Sequence, residues 1–150
     1  TRRGRMAIVT LDDGSAQLEM MVFNEVFEAN RPWIREDELL VVRGKASLDE
    51  YSGNMRVNGE ELFDFASARS TFAKRLELSI SSDAPVSVTQ LKKVLEPYRE
   101  GKCMAVICYR NTSGSAHLKL GESWCVTLHN DLMNGLKKLL GEQNINIAYK

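Results

Sequence analysis

Leu18, Met20 and Val22 alternate with Gln17, Glu19 and Met21. A period of two commits residues 16–23 to a strand with one buried face. A second apolar run, residues 6–12 (MAIVTLD), precedes it, and Asp12-Asp13-Gly14-Ser15 lies between them. Asp and Gly accept the positive φ of tight turns, so the two runs read as a hairpin. Asn24 is placed to cap a short helix over residues 25–29, which Pro32 limits. Residues 38–48 (ELLVVRGKASL) form a third run, with Leu40, Val42, Ala46 and Leu48 on one face and Arg43 and Lys45 on the other. Gly44 in mid-strand suggests a bulge or sharp bend. After a turn at residues 51–54, a fourth strand starts at Met55 and continues past Gly59 to Phe65.

Strand, strand, helix, strand, strand is the order of a five-stranded oligonucleotide-binding (OB) barrel without its first strand. The expected fold of residues 1–65 is therefore an all-β OB-type barrel whose first strand would lie upstream of Thr1. Thr1-Arg2-Arg3-Gly4-Arg5 then becomes the loop that flanks the binding face. Residues 1–11 carry Arg2, Arg3 and Arg5 with no acid, a local charge of +3. With Arg43, Lys45 and Arg56 these arginines form the candidate nucleic-acid-binding set, since single strands are held by cationic grooves and by aromatic rings on which bases stack. Tyr51 is a candidate platform, and Phe23 serves either as a platform or as core. The competing reading of the set is an ordinary solvated basic surface. The whole chain has net charge zero; residues 1–75 sum to −2 and residues 76–150 to +2. Any phosphate contact must therefore be local.

Residues 66–75 read as a connecting helix, and residues 76–150 as a small α+β domain with a mixed, mostly antiparallel sheet. Strands are expected at 76–81, 103–109, 116–120, 124–128 and 144–149. One helix follows Ser87, with Gln90 completing a capping box. A second runs from Asn130 to a Gly141 C-cap. Leu91-Lys92-Lys93-Val94-Leu95 echoes Leu136-Lys137-Lys138-Leu139-Leu140, which suggests two strand–helix–strand units with helices on one sheet face. A partner surface would come from the open face or from the last strand, where Ile145 and Ile147 alternate with Asn144 and Asn146. Ile145, Ile147 and Tyr149 are the candidate partner-binding residues.

Nothing in the sequence reads as catalytic. Asp12-Asp13 could suggest a metal pair, but adjacent strand residues point to opposite faces, and a turn fits better. Cys103, Cys108 and Cys125 with His117 and His129 lack metal-ligand spacing, so no metal and no cofactor is expected. Glycine-rich phosphate loops are absent. With three cysteines, no apolar run of about 20 residues and no signal-peptide core, the expected setting is reducing and cytoplasmic, without a membrane partner.

Residues 4–13 (GRMAIVTLDD) with 18–23 (LEMMVF), 41–53 (VVRGKASLDEYSG) and 118–126 (LKLGESWCV) resemble the C-terminal region of the bacterial DNA polymerase III alpha subunit family. The resemblance runs through the whole chain. It implies an OB domain that contacts single-stranded template DNA, and a C-terminal domain that docks the tau subunit of the clamp loader among other holoenzyme subunits. It also implies a non-catalytic fragment, since that family's polymerase aspartates, its histidinol-phosphatase-like domain and its main clamp-binding peptide lie upstream. The missing barrel strand could be supplied by strand exchange in a dimer. The alternatives are an anticodon-binding OB module of a tRNA synthetase and a small-molecule-sensing α+β domain.

Overall fold

The computed structural model describes residues 5–149. It divides into two compact units, residues 1–65 and residues 66–150.

Unit 1 holds β1 (Met6–Asp12), β2 (Gln17–Phe23), α1 (Asn24–Asn30), β3 (Val41–Leu48) and β4 (Met55–Phe63). The sheet order is β1-β2-β4-β3, with β2 and β4 parallel and the other pairs antiparallel. This is the strand arrangement of an OB fold left open between β1 and β3, and the barrel is not closed among the described residues. The β1–β2 turn forms as its chemistry requires. Gly14 has φ +82°, and its N–H donates to Asp12 Oδ1 at 2.8 Å. Asp13 Oδ1 accepts from the Ser15 hydroxyl and from the Ser15 and Ala16 N–H groups at 2.7–2.9 Å. The Ser15 hydroxyl is the largest cause that holds the Asp13 carboxyl down at about 2. Both aspartates are thus spent on the turn.

The inner face buries Met20, Val22 and Leu62, with Val9, Leu11, Phe27, Leu40 and Val42 packed around them. Gly44 marks a register shift: Arg43 opposes Glu61, but Gly44 opposes Gly59, leaving Glu60 as the extra residue. A Cβ at Gly44 would sit 2.1 Å from the Asn58 carbonyl oxygen, so the bulge needs glycine. Val42, Ala46 and Leu48 share one face as the alternation requires, but beyond the bulge, on the edge strand, Ala46 and Leu48 are exposed, Leu48 by 62%. One expectation fails here: Asn24 does not cap α1. The cap position falls on Phe23, whose side chain makes no cap hydrogen bond.

Unit 2 follows α2 (Phe65–Phe72) with β5 (Arg75–Ser81), α3 (Val88–Leu95), β6 (Arg99–Asn111), β7 (Gly114–Lys119), α4 (Asn130–Leu140) and β8 (Ile145–Ala148). The mixed sheet runs β7-β6-β5-β8, with β5 and β6 parallel. Leu91 and Leu95 of α3 and Leu132, Leu136 and Leu140 of α4 share one core with Leu76 and Leu78 of β5. This is the 3.6-residue stripe packing on the period-two stripe. Arg69 of α2 is buried and donates to the Leu128 carbonyl at 2.9 Å and to Asn130 Oδ1 at 2.6 Å. α4 starts at Asn130 as expected, and the His129 side chain caps it by accepting from the Asp131 N–H. Ser87 occupies the α3 cap position without a side-chain bond, so the expected capping box does not form. Residues 124–128 are not a strand. Trp124 ends a 3-10 turn (Glu122–Trp124), and Val126 only bridges singly to Arg99 and Cys103. The facing stretch of β6 contains Glu100 at φ +70°, and a kinked strand cannot carry a continuous ladder there. Among the described residues no helix is long and apolar enough to cross a membrane.

Candidate nucleic-acid interface

Residues opposed across a ladder project from the same sheet face, so the registers give the outer face of unit 1 directly. One row reads Ile8, Met21, Asn58, Lys45, and the next reads Thr10, Glu19, Arg56, Ser47. Met6 and Phe23 pair at the end of β1 and β2. At about 4.8 Å between strands the face is roughly 14 Å across. Its β1–β2 side is apolar and open to solvent: Ile8 is 61% exposed, Phe23 49% and Met6 41%. Asn58 Oδ1, in the middle of the first row, is buried without a hydrogen-bond partner among the described residues.

The sheet thus brings Arg43, Lys45, Arg56 and Phe23 to one face. Tyr51 stands fully exposed at the tip of the β3–β4 turn. That turn is held by the Asp49 N–H donating to the Asn54 carbonyl and by Gly53 at φ +69°. Arg2 and Arg3 lie outside the described residues.

The electrostatics differ from a bare cationic groove. Lys45 Nζ lies 2.7 Å from Glu60 Oε1, and that hydrogen bond raises the Lys45 pKa above its ordinary value. Arg43 pairs with Glu61. Arg56 meets Asp49 at 3.1 Å and Glu19 at 3.4 Å, and Arg5 meets Glu28 at 3.7 Å. The Asp49 carboxyl is held below its usual range, first by the Ser52 hydroxyl and to a lesser degree by Arg56. Each described basic candidate has a carboxylate beside it, and residues 1–65 contain 8 basic and 13 acidic side chains. Sequence reasoning found the cations and missed these partners, along with Met6, Ile8 and Met21. The alternation in MAIVTLD was the available signal for the apolar residues: Ala7, Val9 and Leu11 take the core, which leaves Met6 and Ile8 outside.

The candidate partner residues behave differently. Ile145 and Ile147 pair with Leu78 and Leu76 and pack against the unit 2 core. Tyr149 is 47% exposed, just beyond the end of β8. Among the described residues β8 has no strand on its outer edge.

Comparison with known proteins agrees with this architecture. The family described as OB-fold nucleic acid binding domain matches residues 1–64. The family described as DNA polymerase III subunit alpha, C-terminal domain, matches residues 90–141. Relatives named DNA polymerase III subunit alpha include that of Vibrio cholerae, 34% identical over 152 residues and 99% of this chain. The Escherichia coli K12 protein is 31% identical over 153 residues and 99% of the chain, and that of Pseudomonas aeruginosa 30% identical over 148 residues and 97%. The chain spans only 12–13% of the length of these relatives. A single alignment passes through both units in each case, and the chain belongs to the DNA polymerase III subunit alpha family, whose C-terminal region it represents.

Proposed function

We propose that this chain is a non-catalytic segment of a replicative DNA polymerase, with unit 1 holding single-stranded template DNA and unit 2 docking the tau subunit of the clamp loader. The observation that carries the DNA reading is the outer face of unit 1, where exposed Ile8, Met6 and Phe23 on the β1–β2 side share one sheet face with Lys45 and Arg56 on β3 and β4. Apolar and aromatic side chains take unpaired bases by stacking, which needs no free positive charge. The carboxylate next to each cation argues that bases supply more of the affinity here than phosphates do. Tyr51 extends the platform at the turn, and Arg5, with Arg2 and Arg3 upstream of β1, adds the phosphate contacts. The segment needs no metal or cofactor for this task. Its parent would be a DNA-directed DNA polymerase acting in the bacterial cytoplasm. The open edges of β1 and β3 would accept one further strand, from the parent chain or by exchange in a dimer of the isolated segment.

Replacing Phe23 and Tyr51 together by alanine is expected to weaken binding of a single-stranded oligonucleotide at least about tenfold, since each stacked base contributes ~1–3 kcal/mol. Fluorescence anisotropy with a labelled oligonucleotide measures it, with circular dichroism to verify folding. Unchanged affinity in the folded double variant, or tighter binding of a tRNA anticodon stem-loop than of single-stranded DNA, would count against this reading.

For tau the supporting feature is β8, an edge strand with a free outer side among the described residues, followed directly by the exposed ring of Tyr149. Strand addition at such an edge supplies affinity through backbone hydrogen bonds, and a neighbouring aromatic side chain supplies an anchor. Deleting the strand would also strip Ile145 and Ile147 from the core, so the cleaner variant is Tyr149→Ala. It is expected to reduce capture of purified tau while leaving the melting temperature in place. Undiminished capture would move the docking surface elsewhere.

A further inference from the structure

Unit 2 carries a cleft that neither the DNA face nor the tau edge uses. β5 pairs with β8 only as far as Leu78, opposite Ile145, and runs on for three more residues. A cleft of about 420 Å³ opens beside that extension, within the range of small-ligand sites. It lies at the carboxyl ends of the parallel pair β5 and β6, where open sheets commonly bind ligands.

The registers place its polar groups in two rows on the helix-free face: Ser79, Cys108 and His117 in one, and Ser81, Arg110 and Ser115 in the next. All six line the cleft, and no carboxylate does. Among the described residues the side chains of Arg110 and His117 have no hydrogen-bond or ion-pair partner, in contrast to the paired cations of unit 1. The nearest acid along β5, Glu77, is already engaged by Arg75 at 3.3 Å and by Asn146 at 2.9 Å. Lys119, one row further along β7 from His117, adds positive charge. Residues 66–150 as a whole hold 12 basic and 7 acidic side chains. Around the β5 edge that β8 leaves uncovered, on the helix side, the cleft continues over an apolar wall of Ile80, Val86 and Leu139.

We propose that this cleft binds a phosphate monoester, with the phosphoryl group against Arg110, His117 and the three serine hydroxyls and the organic group on the apolar wall. A guanidinium with an imidazole N–H and several hydroxyls matches the acceptor oxygens of a terminal phosphate. A phosphodiester has fewer free oxygens and less charge to offer the same set.

Calorimetry on the whole 150-residue chain tests this with thymidine 5′-monophosphate, inorganic phosphate and thymidine. The monophosphate is expected to bind more tightly than either of the others. Arg110→Gln should weaken it at least about tenfold, as loss of a charge-assisted pair does. Ser115→Glu, which places a carboxylate in the same row of an exposed edge strand, should abolish it. Melting temperatures should stay unchanged in both variants. A 5′-phosphorylated tetranucleotide compared with its 5′-hydroxyl form separates a strand end from a free nucleotide as the source of the group. Equal affinity of wild type and both variants, or no preference for the monophosphate over thymidine, would overturn the proposal. Neither outcome bears on the DNA face, because Phe23 and Tyr51 belong to unit 1.

Discussion

Gly101→Ala is expected to unfold unit 2 at temperatures where the parent chain is fully native. A Cβ at this position would lie 2.0 Å from the Val126 carbonyl carbon and 2.2 Å from the Thr127 nitrogen and the Val126 oxygen. These are backbone atoms, so no rotamer change relieves the overlap. The approach is that close because two segments are laced together: the Gly101 N–H donates to the Cys125 carbonyl at 3.0 Å, and the Thr127 N–H to the Tyr98 carbonyl at 2.9 Å. Arg99 adds to the lacing, its guanidinium 4.3 Å from the Trp124 ring centre and its Nε donating to the Ser123 carbonyl. Val126 and Leu128, on the displaced segment, are fully buried. Relief must therefore come from moving core residues, at a cost of about 3 kcal/mol or more. In a unit of this size that lowers the melting temperature by roughly 12–24 °C. Trp124 fluorescence in a Trp33→Phe background follows unit 2 alone. Gly114→Ala is the control, since nothing lies within 4 Å of a Cβ there. Equal melting temperatures for the two alanine variants would mean that the segments do not approach so closely.

The contrast between Gly101 and the hairpin at Asp12–Ser15 explains what could be read from the sequence. Turns, strand alternation and the leucine stripes of α3 and α4 depend on neighbours a few residues away, and they appear where the spacing places them. The Leu132, Leu136 and Leu140 stripe and the Gly141 cap at φ +84° are of this kind. The irregular crossing at Val126 depends on what a distant strand does at Glu100, and its apolar residues read as an ordinary strand. The caps that fail, Asn24 on α1 and the Ser87–Gln90 box on α3, are good capping residues by type, but type alone does not set where the helix starts or whether the side chain turns back to it.

The candidate DNA face divides in the same way. That Arg43 and Lys45 share a side follows from alternation alone. Their neutralisation by Glu61 and Glu60 depends on register, and the bulge at Gly44 sets that register by making Glu60 the extra residue. No local pattern in the sequence carries that information.

Those carboxylates lead to the second large effect. Glu60→Gln with Glu61→Gln is expected to tighten single-stranded DNA binding and to make it more dependent on salt. The two substitutions remove the carboxylate charges beside Lys45 and Arg43 while keeping side-chain size, and both cations stay on the outer face with Asn58 and Arg56. Solvent-exposed pairs of this kind contribute little to folding, so stability should change little. Each cation newly available to phosphate adds about 0.7 to the magnitude of the slope of log K against log salt for a single strand. Lys45 alone steepens it by roughly 0.7, which at about 0.1 M salt corresponds to an affinity gain of about fivefold, and Arg43 adds to that as far as it turns to phosphate. Anisotropy titrations across a salt series measure slope and affinity together. An unchanged slope would mean that phosphates do not pass over β3 and β4, and the strand would have to lie along the apolar β1–β2 side, where Ile8, Met21 and Phe23 alone would carry the binding.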